Sequence, residues 1–91
     1  MTINILFFGA CREAADGVAE ISLDLASLSR GGETPGNPDV LLVWQSLAGR
    51  YPALARFNGN VLFAVNEEYA RGDKLLVAGD TLAIFPPVSG G

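Results

Sequence analysis

Histidine is absent from this chain and cysteine occurs once, at Cys11. Without histidine the commonest metal ligand and general base is missing, and no Ser-His-Asp or Cys-His arrangement can be assembled. A lone cysteine excludes an internal disulfide and any CxxC pair, and no Gly-rich Walker sequence occurs. Basic residues are scarce as well. Six Lys plus Arg stand against ten Asp plus Glu, a formal charge of −4, which argues against nucleic acid as a partner and favours a basic protein surface. Apolar runs such as residues 40–44 fall far short of the roughly 20 residues that a membrane span needs. Since the start of the chain also lacks a signal-peptide layout, the expectation is a cytoplasmic protein with no membrane attachment. Catalysis by the usual side-chain sets is not expected, nor is a metal or a cofactor bound by this chain.

What is present is a hydrophobic content of 49% in 91 residues, enough for one modest core and a single domain. Residues 2–8 place Ile3, Ile5 and Phe7 on one face and Thr2 and Asn4 on the other, the alternation of a strand. Leu6 and Phe8 turn that second face apolar towards its far end, so a loop or a partner is expected to cover it. Gly9 ends the strand, residues 11–15 suit one helical turn, and Asp16-Gly17 is a turn dipeptide. Ala19, Ile21, Leu23 and Leu25 alternate with Glu20, Ser22 and Asp24, a half-buried strand returning antiparallel to the first.

Residues 26–37 are too rich in Gly, Ser and Pro for regular structure and read as a long mobile loop. Asn37 suits a helix N-cap, Pro38 the first helical position, and Asp39 the first turn. Val40, Trp44, Leu47, Ala48 and Tyr51, joined by Leu41, describe a broad apolar stripe, and Pro52 stops the helix. Trp44 lies on that stripe and is assigned to the core. Residues 53–60 form a connector anchored by Leu54 and Phe57 and closed by Asn58-Gly59-Asn60. A strand is expected over 61–66, a reversal at Asn66-Glu67-Glu68, and a short return at Tyr69-Ala70. Gly72-Asp73 and Gly79-Asp80 mark two further turns. A last strand over 81–85 directs Leu82 and Ile84 to the core, with Ala83 and Phe85 on the opposite face. Glu67 and Glu68 are assigned to a solvated turn rather than to acid–base chemistry. Cys11, without a partner to lower its pKa, is taken as an inert thiol.

Two domain parts follow: a folded unit over 1–85 and a tail over 86–91. Pro86 and Pro87 remove two backbone donors, so the strand cannot continue through them. Val88 and Ser89 lead to Gly90 and Gly91, which carry no side chains and suit a close approach to another protein's active site. Extended at roughly 3.3 Å per residue, the six residues reach about 20 Å. A frayed end is the plain alternative. The element order is ββαβ(β)β, an α+β layer with one main helix packed on one face of a mixed sheet of four to five strands. If the first and last strands lie side by side and parallel, the fold is a ubiquitin-like β-grasp. Phe8 and Phe85 then come together on the face away from the helix as an apolar docking patch.

Leu6-Phe7-Phe8, Arg12-Glu13-Ala14, Tyr51-Pro52, the run from Ala64 to Tyr69, Gly79-Asp80 and the ending Ile84-Phe85-Pro86-Pro87-Val88-Ser89-Gly90-Gly91 occur in this order over nearly the whole chain. In these motifs the sequence resembles the small subunits of molybdopterin synthase, within the ubiquitin-like sulfur carriers. It departs from compact members in the loop around residues 29–38, which looks like an insertion, and at Cys11, to which no role is carried over. The resemblance implies that an adenylating enzyme related to ubiquitin activators uses ATP on the Gly91 carboxylate. A sulfur donor then converts it to a thiocarboxylate. It further implies that the tail enters the large synthase subunit, in a heterotetramer, and delivers sulfur to cyclic pyranopterin monophosphate during molybdenum cofactor synthesis. Gly91 would be the covalent carrier, while the catalytic side chains would belong to the partner. Two other uses of the same fold remain open: sulfur supply for thiazole formation in thiamine synthesis, and protein modification in the manner of ubiquitin.

Overall fold

The computed structural model describes residues 2–25 and 38–87. The expected loop over 26–37 and the tail residues Val88, Ser89, Gly90 and Gly91 lie outside them. Five strands form one mixed sheet: β1 (Thr2–Phe7), β2 (Glu20–Asp24), β3 (Leu62–Val65), β4 (Glu68–Ala70) and β5 (Thr81–Phe85). Their spatial order is β2-β1-β5-β3-β4. β1 runs antiparallel to β2 and parallel to β5, while β3 is antiparallel to both β5 and β4. First and last strands therefore lie side by side at the centre, with Asn4 opposite Thr81 and Phe7 opposite Ile84.

Period-two alternation sends Ile3, Ile5 and Phe7 of β1 and Leu82 and Ile84 of β5 into one core. Phe63 and Val65 of β3 join them. Each such side chain taken out of water stabilises the fold by about 1.5–3 kcal/mol before entropy is counted. Across this face lies helix α2 (Val40–Arg50), which buries Val40, Val43, Trp44 and Leu47. The spacing i, i+3, i+4, i+7 is that of one helix face. The Trp44 ring meets Phe63 edge-on at 5.8 Å, and its Nε1–H donates to Asn58 Oδ1 at 2.7 Å. A large indole is thus buried with its polar atom satisfied.

Three expectations are corrected here. The N-cap of α2 is Asp39, two residues after Asn37, and its Oδ1 accepts from the Leu42 amide at 2.8 Å. The amides of Val40 and Leu41 donate to Lys74 and Gly72 carbonyls, 2.9 Å each. A distant segment thereby satisfies helix-start donors that a local cap would otherwise have to serve. Second, Leu41 is not on the buried stripe: it is 48% exposed, while Val43 takes the inward position. Third, the connector after Pro52 is regular, a 3₁₀ helix over Pro52–Phe57 that buries Leu54 and half-buries Phe57.

Among the described residues the other turns and strand ends agree with expectation, apart from the length of one reversal. A short helix α1 (Gly9–Ala14) follows β1. Asp16-Gly17 turns the chain with φ of 60° and 80°. Asn66 and Glu67, at φ 51° and 73°, make the reversal between β3 and β4. Glu68 already pairs with Val65 in the ladder, so the reversal has two residues and not three. β5 ends at Phe85, immediately before Pro86.

Candidate functional site

The alternation that fills the core leaves a second face on which, among the described residues, no helix lies. There the side chains of Leu6, Phe8, Ala64, Ala83 and Phe85 floor an open depression of about 650 Å³, edged by Asn66, Glu67, Tyr69 and Thr81. The two aromatics singled out from sequence are brought together: Phe8 and Phe85 stack at a centroid distance of 4.9 Å and an interplanar angle of 13°. Tyr69 leans toward Phe85 at 6.5 Å. Phe8 is 42% exposed and Tyr69 81%, so large apolar surface stands open beside the point where the chain leaves the sheet. Residue order places Tyr69 only on a short return strand; the two-residue reversal seen between β3 and β4 sets the register that brings it to the open face.

One edge of the depression is tied down by a polar network. The Asn66 side-chain amide donates to Asp80 Oδ1 at 2.9 Å, and its Oδ1 accepts from the Thr81 amide at 3.0 Å. Asp80 Oδ2 also accepts from the Val77 amide at 2.9 Å. This joins the β3–β4 reversal to the start of β5, so the edge carrying exposed Glu67 is fixed relative to the floor. Glu67, in the reversal, and Glu68, the first residue of β4, are both exposed to solvent. Glu67 gives the patch an acidic margin in a chain of net charge −4.

Cys11, on α1, is fully buried. Burial pushes its thiol above the ordinary value, against a smaller lowering by the Arg56 guanidinium. A thiol held protonated is a poor nucleophile. Among the described residues no group of three or more His, Cys, Asp or Glu is placed to hold a metal ion. No helix among them is long and apolar enough to cross a membrane. The described residues thus offer an apolar contact surface.

A central parallel pair of first and last strands, one helix across one face and an open aromatic patch at the C-terminal exit define a ubiquitin-like β-grasp protein. The chain belongs to the ThiS family, whose model matches residues 5–91. It is 36% identical over 93 residues to the molybdopterin synthase sulfur carrier subunit of Chlamydomonas reinhardtii, covering 100% of both chains. To the human protein of the same description it is 42% identical over 60 residues, 63% of this chain and 68% of that one. Among solved structures, SAMP1 from Haloferax volcanii superposes with a TM-score of 0.75 at 29% identity over the full length of both.

Proposed function

We propose that this chain is a sulfur carrier that works as the small subunit of molybdopterin synthase, with Gly91 as the site of attachment. The observation that carries the reading is the position of the stacked Phe8–Phe85 pair at the root of the segment that leads to Gly91. An exposed aromatic patch is the kind of surface on which a larger partner docks. Docking there would deliver the following residues, Pro86 to Gly91, into that partner. The full-length relatives described as molybdopterin synthase sulfur carrier subunits support the same use. The acidic margin suits a basic partner surface and would speed encounter.

The chemistry belongs to the chain end. A carboxylate, with a reference pKa of about 3.5, is ionised at neutral pH and a poor electrophile. In the proposed sequence its oxygen attacks the α-phosphorus of ATP on an activating enzyme, releasing pyrophosphate and leaving a mixed anhydride. A sulfide-level donor adds to the carbonyl and AMP departs, giving the thiocarboxylate. Its sulfur then attacks a side-chain carbon of the pterin precursor, cyclic pyranopterin monophosphate, in the large subunit. The new C–S bond forms as a C–O bond to an oxygen leaving group breaks. Water attack on the resulting thioester leaves sulfur on the acceptor and returns the Gly91 carboxylate. Two such deliveries complete one dithiolene. This chain contributes the carrier atom, the slim Gly90-Gly91 end and the docking patch, and the partner contributes the catalytic side chains.

Intact-mass measurement with activating enzyme, ATP and a sulfur donor should find a species heavier by one oxygen-to-sulfur exchange. Deletion of Gly91 should abolish it while the melting temperature stays unchanged. Persistent failure to see that species with all three components present would sink the reading. The resemblance to SAMP1, a small archaeal modifier protein, favours protein modification as a second use. That use predicts lysine-linked conjugates that also depend on Gly91.

A further inference from the structure

Where the chain leaves the sheet, two backbone segments meet: Phe8-Gly9 beyond the end of β1, and Phe85-Pro86 at the end of β5. The Phe8 amide donates to the Ile84 carbonyl at 3.0 Å, which carries the central parallel pairing to the edge of the sheet. The stacked rings follow directly. One step further, Gly9 has a φ of +55°, and a Cβ at this position would lie 3.1 Å from Pro86 Cγ and 3.4 Å from Cδ. The pyrrolidine ring therefore crowds the space that a side chain at position 9 would need. Closure onto its own backbone nitrogen limits how far it can yield. A Cβ at position 9 requires a shift of a few tenths of an ångström in the ring or in the backbone around it.

The other glycines separate the two requirements. Gly17, Gly59 and Gly79 have φ of +80°, +75° and +90°, yet a Cβ on any of them would meet nothing within 4 Å. They serve turns. Gly72 is crowded by Leu41 Cβ at 3.2 Å but does not have a left-handed φ. Among the described glycines, Gly9 alone combines a positive φ with a close neighbour, and that neighbour is the first residue of the exit segment.

We propose that Gly9 is a positioning residue for the C-terminal segment: lacking a Cβ, it lets the Pro86 ring seat against the end of β1. That seat and the Phe8–Phe85 stack together set the direction in which the chain departs. The proposal rests on the carrier reading above. Were the segment extended to about 20 Å, a tilt of about 10° at Pro86 would carry its end about 3.5 Å sideways, and misplacement of a reacting group by about 1 Å can slow a reaction about a hundredfold.

The test begins on the unaltered protein, where a nuclear Overhauser effect between Gly9 Hα and Pro86 Hγ or Hδ is expected. Its absence overturns the seat. Four chains then extend the comparison: Gly9→Ala, Gly59→Ala as a control for positive φ alone, Pro86→Ala, and Gly9→Ala with Pro86→Ala. Melting temperature, affinity for the large subunit and single-turnover sulfur transfer from preformed thiocarboxylate are measured for each. The melting temperature of Gly9→Ala should fall at least as far as that of Gly59→Ala, since both put a Cβ at positive φ and only the first meets a close neighbour. Transfer by Gly9→Ala should slow about ten- to a hundredfold, with affinity for the large subunit changing much less. The double variant should return to the rate of Pro86→Ala, because removal of the ring removes the collision. Transfer by Gly9→Ala at the rate of Gly59→Ala, or a double variant no faster than Gly9→Ala, overturns the proposal while leaving the carrier reading intact. An unaltered chain that never forms a thiocarboxylate overturns the carrier reading and this proposal with it.

Discussion

The two faces of the sheet are made by the same strands and have opposite fates. On β5, Leu82 and Ile84 are completely buried beneath α2, whereas Ala83 and Phe85 look out on the helix-free side. On β1, Phe7 is sealed against Tyr51, with ring centroids 5.9 Å apart. Its neighbour Phe8 remains 42% exposed and stacks on Phe85. Both faces are apolar near the C-terminal ends of these strands, so hydrophobicity alone does not distinguish them. The helix does, because it covers only one. Apolar surface on the covered side stabilises the monomer, and on the open side it stays available to stabilise a complex.

Adjacent residues on β5 give the sharpest way to break this contrast. Ile84→Ala removes buried volume that the packed core cannot refill and should destabilise the fold by about 2–5 kcal/mol in urea or thermal unfolding. Phe85→Asp should weaken binding to the large subunit by about 2 kcal/mol or more, measured calorimetrically, and lower fold stability by only about 1 kcal/mol for the lost stack. Equal stability losses at the two positions would erase the distinction between the faces.

A second pair of aromatics tests it at smaller amplitude. Trp44→Phe loses the 2.7 Å hydrogen bond to Asn58 and part of the packing on Phe63. It should lower stability by about 1–2 kcal/mol. Tyr69→Ala, on the open face, should lie within about 0.5 kcal/mol of the parent in stability and show its effect in partner affinity.

Cys11 gives the smallest effect and belongs wholly to the covered interior. Its thiol titrates at higher pH in the folded state than in the unfolded state because it is buried. Above about pH 9 the unfolded chain therefore loses this proton first, and stability falls as pH rises through the window between the two values. The parent should lose more stability than Cys11→Ala between about pH 8 and about pH 10, measured by urea midpoints. An equal loss in both would show that the thiol is not held protonated by burial.

Much of this arrangement could be read from residue order, because it depends on local rules. The alternation in residues 2–8 and 81–85, the Asp16-Gly17 turn and the strand stop at Pro86 express side-chain period and backbone stereochemistry. The structure reproduces them. The start of α2 was misplaced because its first amides are served by the carbonyls of Lys74 and Gly72, residues more than thirty positions away. The choice of Val43 over Leu41 as the buried residue was likewise tertiary, since Leu41 abuts Gly72 while Val43 faces the sheet. Leu75, Leu76 and Val77 are alike in sequence, yet only Leu76 is buried. Its amide donates to the Pro38 carbonyl, which fixes the side chain inward.

By itself, the sequence determined that no histidine-based catalytic set can be assembled and that two aromatics flank the ends of two strands. Both follow from which side chains exist and from a repeat of two along an extended chain. Only the tertiary structure decided that those aromatics stack, that Tyr69 joins them on the open face, and that the Pro86 ring crowds the place of a side chain on Gly9. The stack and the Gly9–Pro86 approach depend on the parallel meeting of the first and last strands, which brings residues more than seventy positions apart within van der Waals reach. No local periodicity encodes that distance.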